Sequence, residues 1–332
     1  MQASPTGTVP AFDTRKLYAL WDRHKSLIFA YGLILVILIV AGLRHPSFIS
    51  AGNLRNQLVL ASFLGIAAAG QTILILTGGI DLSLAWNLNF AAILLTKLAG
   101  NENTFGAVSW ALFAAIGAAT LFGILNGLGV AFLRIPPLVM TLGMNTVLFG
   151  LTTYYTKGTP QGTAPNVIID LATGRILGVP WAVILWVAVT TLVIFLLRQT
   201  TFGRDIYAIG NNVRAAYLSG VPVRRVLVMS YATAGFFAGL TALLLVGYSN
   251  QSYLRMGDAL LLPSIAAVVV GGTSILGGSG GYAGTVAGAI IITLLQSLLT
   301  IENRPQADQQ ILFGVIVLGI LLIYGREGKI RE

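Results

Sequence analysis

The sequence predicts an all-α, polytopic membrane protein of about ten transmembrane helices with both termini in the cytoplasm. Three observations carry that expectation. Apolar residues make up 56 % of the 332 residues and charged residues only 9 %, against about 25 % charged in an average soluble chain. Such a chain has too little polar surface to face water. Apolar runs long enough to cross a bilayer, roughly 20 residues for about 30 Å of hydrocarbon, recur from end to end. Basic residues are distributed unevenly between alternate connecting segments.

The runs fall near 27–43, 57–77, 82–99, 106–133, 137–155, 180–197, 226–248, 259–276, 282–300 and 310–324. Asn87, Asn89 and Lys97 interrupt the third and Pro263 the eighth, which makes those two the weakest patterns. With the N-terminus inside, thirteen of the 20 basic residues fall in internal segments and seven in external ones. The positive-inside bias therefore selects cytoplasmic termini. It also accounts for the net charge of +9 without a nucleic-acid partner, since the basic residues form no helix stripe and no aromatic-interleaved patch. Residues 1–26 read as a cytoplasmic tail, 27–325 as the transmembrane domain with 198–225 as a cytoplasmic segment inside it, and 326–332 as a second cytoplasmic tail. The basic stretch 15–25 before the first run resembles a signal peptide, but that run lacks a small-x-small cleavage site and reads as an uncleaved first helix.

Several chemistries are excluded. The chain has no cysteine, hence no disulfide, thiolate nucleophile or iron–sulfur cluster. Two histidines, His24 and His45, do not suggest a metal cluster, and no catalytic constellation stands out. No G-x-x-x-x-G-K-[ST] sequence is present, so no ATP-hydrolysing P-loop is expected. A G-x-G-x-x-A match starting at Gly278 joins two apolar runs rather than a strand and a helix, and reads as chance.

Of the eleven acids only Asp81 lies near membrane depth, in TGGIDLSLAW (77–86). There it has two readings: a cap on the following helix, or a ligand-facing group where a broken helix lines a cavity. Trp86, Asn87 and Asn89 follow. Together with Gln71, Asn126 and Asn145 they suit a neutral, hydroxyl-rich ligand, and equally suit hydrogen bonding between helices. Glycines at helical spacing, Gly280, Gly284 and Gly288, as well as Gly123 with Gly127 and Gly235 with Gly239, read as close helix packing. Gly78 and Gly79 read as the interruption of a helix.

The segment TTFGRDIYAIGNNVRAAYLSGVPVRRV (200–226) mixes apolar side chains with arginines. Two explanations fit: a short amphipathic helix docking on a partner, or one lying on the lipid surface.

Within it, Ala215-Ala216-Tyr217-Leu218-Ser219-Gly220 resembles the A-A-x-x-x-G loop by which ABC importer permeases engage their ATPases. TTFGRDIYAIGNN, TGGIDLS (77–83) and LLPSIAAVVVGGTSILGGSGGYAGTVAGA (261–289) resemble permeases of the ribose, xylose, arabinose and autoinducer-2 family, in that family's order and over about 45–325. The resemblance implies a BtuC-like, type II importer style of bundle in the bacterial inner membrane, importing a monosaccharide or related polyol. It implies no cofactor in this chain, since ATP and Mg are bound by separate cytoplasmic ATPase subunits. The other partners it implies are a second permease copy or paralogue, a periplasmic sugar-binding protein and membrane lipid. Thr201, Phe202, Gly203, Arg204, Tyr207, Ile209, Gly210, Asn211, Arg214, Ala215, Ala216 and Gly220 then form the ATPase-coupling region, with Tyr207 and Ile209 filling a cleft on the ATPase. Two departures stand out. Arg214 replaces the glutamate that commonly precedes the paired alanines, and Leu84-Ala85-Trp86-Asn87 replaces the small residues that commonly follow GGIDLS. The first alters the contact chemistry at that position, and the second suggests one half of a heterodimer. The competing expectation is a secondary sugar carrier driven by a proton through Asp81.

Overall fold

The computed structural model describes residues 14–100 and 104–327, with side chains in 28–100, 104–305, 307–316 and 318–319. The ends of both expected tails lie outside the described residues. Thirteen helices are present among the described residues: α1 (Thr14–Arg44), α2 (Ala51–Leu76), α3 (Leu84–Ala99), α4 (Phe105–Ala131), α5 (Pro137–Thr156), α6 (Asn166–Thr173), α7 (Trp181–Gln199), α8 (Thr201–Asn211), α9 (Val213–Leu218), α10 (Val223–Ser249), α11 (Asp258–Val270), α12 (Tyr282–Ile301) and α13 (Gln306–Glu327). The one sheet is a two-residue hairpin, β1 (Arg175–Ile176) against β2 (Val179–Pro180).

Each apolar run of the sequence lies on its own helix, and the three extra helices are the short α6, α8 and α9. Five helices, α2, α4, α7, α10 and α12, are long and apolar enough to cross a membrane among the described residues. The eighth run corrects its expected boundary. Its helix, α11, continues through Pro263 but ends at Val270 rather than 276, because the glycine-rich residues 271–281 turn away as a loop.

α2 is the centre of the bundle. Its residues from Ala61 to Thr77 are all buried, and α7, α10, α11 and α12 pack around it. In a helix buried on every side an apolar stripe has no meaning, and α2 is apolar all round. Its start is fixed by Ser50, whose hydroxyl accepts from the Asn53 amide at 3.4 Å.

Glycine packing builds two of the helix crossings. Gly123 and Gly127 of α4 lie against the backbone of Tyr231 and Val228 in α10, while Gly235 and Gly239 of α10 lie against Ala119 and Ile116 of α4. The two glycine pairs therefore face one another in a single crossing. Gly284 and Gly288 of α12 similarly meet the carbonyl oxygens of Gly271 and Ala267. Gly280 does not share that face, which corrects the expectation for it. It precedes α12 in the loop with φ 117°, a backbone region that only glycine adopts freely.

Candidate functional site: a junction of three segments

Residues 200–220 do not form one amphipathic helix but two. Thr200 caps α8, its hydroxyl accepting from the Gly203 amide at 3.2 Å. Asn212 ends α8 and caps α9, its Oδ1 accepting from the Ala215 amide at 2.9 Å. Each cap satisfies a helix N–H that has no partner within its own helix. The new cap lets the two helices present different faces.

α8 turns its apolar side into the protein. Ile206 and Ile209 are buried and Phe202 packs beside them on the core. Gly203 lies directly over the carbonyls of Leu196 and Leu197. Ile209, 1 % exposed, therefore faces the chain's own core rather than a cleft on a partner. Tyr207 is half-buried, and its hydroxyl donates to the Gly280 carbonyl at 2.9 Å. Burial raises the phenol above its ordinary pKa, against a smaller lowering by Arg198, so it remains a donor at neutral pH.

Those contacts tie α8 to two distant segments. Gly210 approaches the Leu76 carbonyl and the Gly278 backbone so closely that a Cβ would strike both. The Gly278 amide donates to the same Leu76 carbonyl at 3.0 Å, and Asn211 Nδ2 donates to the Gly278 carbonyl at 3.5 Å. Three segments widely separated in sequence, 77–83, 200–220 and 271–281, thus meet through backbone groups.

α9 points the other way. Tyr217 and Leu218 are 70 % and 76 % exposed and Val213 is also exposed, while Ala216 is buried beneath them. Thr201, Arg204, Asn211, Arg214, Ala215 and Gly220 share the exposed surface. Tyr217 and Leu218 are the outward apolar residues that sequence reasoning left out of its site. The signal for them was Asn212, an N-cap residue type three positions before Ala215.

Of the residues expected along a substrate path, Gln71, Asp81 and Asn126 form a buried network with Ser83, while Trp86, Asn87, Asn89 and Asn145 lie outside it. Gln71 and the Asp81 backbone bond reciprocally, Gln71 Nε2 donating to the Asp81 carbonyl at 2.6 Å and the Asp81 amide donating to Gln71 Oε1 at 3.3 Å. Asp81 Oδ1 accepts from both the Ser83 amide (2.8 Å) and hydroxyl (2.6 Å). Asn126 Nδ2 in turn donates to the Ser83 hydroxyl at 2.8 Å. α3 starts at Leu84, so Asp81 braces the turn before the helix rather than capping it directly. Asn87 donates to the Ala119 carbonyl at 3.1 Å. Asn89 donates to the Tyr253 carbonyl (3.0 Å) and accepts from the Arg255 amide (2.8 Å). Trp86 packs edge-on against Phe149 with ring centroids 4.7 Å apart, and Asn145 is half-buried on α5. Gly78 (φ 83°) breaks the chain between α2 and α3, and Gly79 sits beneath the Tyr231 hydroxyl. Among the described residues no cluster of His, Cys, Asp and Glu could hold a metal ion.

Residues 53–323 match the family described as branched-chain amino acid transport system / permease component. The chain is 36 % identical over 306 residues to the ribose import permease protein RbsC of Escherichia coli (strain K12), covering 91 % of this chain and 93 % of that one. It is 34 % identical over 315 residues to the probable ABC transporter permease protein YphD of the same strain, covering 94 % of each. The autoinducer 2 import system permease protein LsrD of Salmonella paratyphi B is 29 % identical over 321 residues, again 94 % of each. No solved structure matches the chain. On the strength of the family match across most of its length, this chain belongs to the branched-chain amino acid transport system / permease component family and is a multi-pass membrane permease of a bacterial ABC importer, without an ATPase of its own.

Proposed function

We propose that this permease imports a monosaccharide or related polyol across the inner membrane, driven by separate ATPase subunits that dock on α9. The observation that carries the docking is the contrast between the two short helices: α8 is held to the body by its apolar face, whereas α9 leaves Tyr217 and Leu218 exposed, with Arg214 and Tyr217 lining the same cleft. An apolar pair next to cations suits a partner cleft with an acidic rim. ATP and Mg belong to that partner.

The ten helices that coincide with the apolar runs cross the membrane, with both termini, α8 and α9 on the cytoplasmic side, in a type II importer style of bundle. Ligand arrives from a periplasmic binding protein at the opposite face. The permeases RbsC and LsrD are named for ribose and autoinducer 2, which supports a hydroxyl-rich substrate. So do Asp81 Oδ2, Asn87 Oδ1, Asn126 Oδ1 and Asn145 Oδ1, buried acceptors with no protein partner among the described residues. They complement sugar hydroxyls once the turn at Gly78 opens. Nucleotide shifts that equilibrium only through differing affinity for the two states. A second permease, a paralogue with the common small residues after its GGIDLS, completes the path. Leu84-Ala85-Trp86-Asn87 supports the heterodimer reading.

The test is uptake of labelled ribose and related pentoses, supplied with the periplasmic binding protein, into proteoliposomes holding the permease alone, the permease with its ATPase, and both with the neighbouring permease. ATP-dependent uptake only in the assembled complex supports the proposal. Uptake by the chain alone in a proton gradient refutes it and restores Asp81 as a proton site.

A further inference from the structure

The cytoplasmic end of α4 borders a cleft that shares Val213, Arg214 and Tyr217 with the α9 docking surface but extends past it to Arg134, Arg224 and Arg225, which the transport reading does not use. Arg134, Arg214, Arg224 and Arg225 line one cleft of about 990 Å³ whose remaining wall is apolar, formed by Val130, Phe132 and Leu227 among others. None of the four arginines forms an ion pair among the described residues. Arg224 lies over the Phe132 ring, 5.4 Å from its centroid. Four cations converging without a carboxylate repel one another, and an anion relieves that repulsion.

The surface leading into the cleft indicates the kind of anion. Trp110, Phe113, Leu121, Leu125, Leu128 and Phe132 are all exposed on α4. Their spacing keeps them on one helix face, opposite the face that packs on α10. From Trp110 to Phe132 the helix rises about 33 Å at 1.5 Å per residue, the thickness of the hydrocarbon layer. An exposed apolar stripe of bilayer length faces lipid along its whole height, and its end at the cationic cleft sets the headgroups of one leaflet beside the arginines, with the half of the stripe nearest the cleft facing that leaflet's acyl chains.

We propose that this cleft is a binding site for an anionic phospholipid of the cytoplasmic leaflet, its phosphate held by Arg134, Arg224 and Arg225 and one acyl chain lying along Leu121, Leu125 and Leu128. The proposal rests on the topology above, which places this end of α4 at the inner leaflet.

The experiment is native mass spectrometry of the delipidated permease–ATPase complex, titrated with palmitoyl-oleoyl phosphatidylglycerol or with phosphatidylcholine carrying the same chains. A parallel arm supplies inorganic phosphate. The expected result is retention of phosphatidylglycerol over phosphatidylcholine. In the triple variant R134Q/R224Q/R225Q that retention weakens about a hundredfold, taking about 1 kcal/mol per cation near the surface. The variant R134K/R224K/R225K keeps most of it, which separates loss of charge from loss of fold. Equal retention of both lipids, or unchanged retention in the triple glutamine variant, overturns the proposal. So does protection by inorganic phosphate without lipid preference, which makes the site one for a soluble anion. Release of the ATPase or of the second permease from the glutamine variant, with lipid retention unchanged, assigns the cleft to a protein partner and also overturns it. A complex that keeps its ATPase but shows no lipid preference refutes this site and leaves the transport reading intact.

Discussion

The hydroxyl of Tyr207 donates at 2.9 Å to the carbonyl of Gly280, 73 residues further along the chain. It is a side-chain tether between α8 and the loop before α12, alongside close backbone contacts that Gly210, Gly277 and Gly278 make possible. α8 therefore touches both the 271–281 loop and the end of α2, just before the α2–α3 turn.

Replacing Tyr207 by phenylalanine removes that tether and little else. The expected cost is about 0.5–1.5 kcal/mol of stability, visible as a small fall in melting temperature. The informative readout is the number of sugars imported per ATP hydrolysed, which falls while ATP hydrolysis persists. An unchanged ratio shows that Tyr207 does not transmit motion.

Gly210→Ala drives a methyl group into the Leu76 carbonyl. Overpacking of this kind costs about 1–3 kcal/mol, and the backbone of three segments has to shift. The expected outcome is a permease that inserts but loses thermal stability and uptake together, measured by fluorescence melting and transport in the same preparation.

Leu218→Asp tests α9 without disturbing the interior, because Leu218 is exposed. Loss of an apolar anchor worth about 2 kcal/mol weakens ATPase binding roughly thirtyfold, measurable by co-purification or by light-scattering of the complex. The melting temperature of the isolated permease stays unchanged. Ala216→Asp is a poorer test, since Ala216 is 4 % exposed and a buried charge disrupts folding itself.

Asp81→Asn and Asp81→Ala should differ. The amide oxygen of asparagine still accepts from the Ser83 amide and hydroxyl, whereas alanine leaves both buried donors without that acceptor, at about 1–3 kcal/mol. Uptake retained in the asparagine variant and reduced in the alanine variant is the expected pattern for a bracing role. Abolished uptake in both, with normal stability, points to the carboxylate as a proton or ligand group.

The ten helices that carry the apolar runs were legible because an apolar run in lipid has to satisfy its backbone within itself, whereas the shortness of α3 (16 residues) and α11 (13 residues) was not. The contents of 156–179 were not. α6 is only eight residues, and the hairpin turn places Leu177 at φ 50° ahead of Gly178, an arrangement leucine does not advertise. Pro263 suggested a weak helix, yet α11 continues through it, and the glycines at 271–281 set the real end. At the site, Gly203 and Gly210 were found by their resemblance to a family segment, but the direction each helix faces was hidden. Ile209 and Leu218 look alike in sequence. Only the break at Asn212 sends one inward and the other outward.

The carbonyl of Leu76 receives its hydrogen bond from Gly278, a residue translated about 200 positions later. At roughly 5–20 residues per second, the ribosome needs about 10–40 seconds to deliver that donor after α2 has been made. During this interval the end of α2 must be kept by the insertion machinery or by water, and the docking place for α8 is only half built. Assembly of the junction is therefore a late event in biogenesis. A chain that terminates before residue 278 is expected to insert its early helices yet present no finished surface for α8.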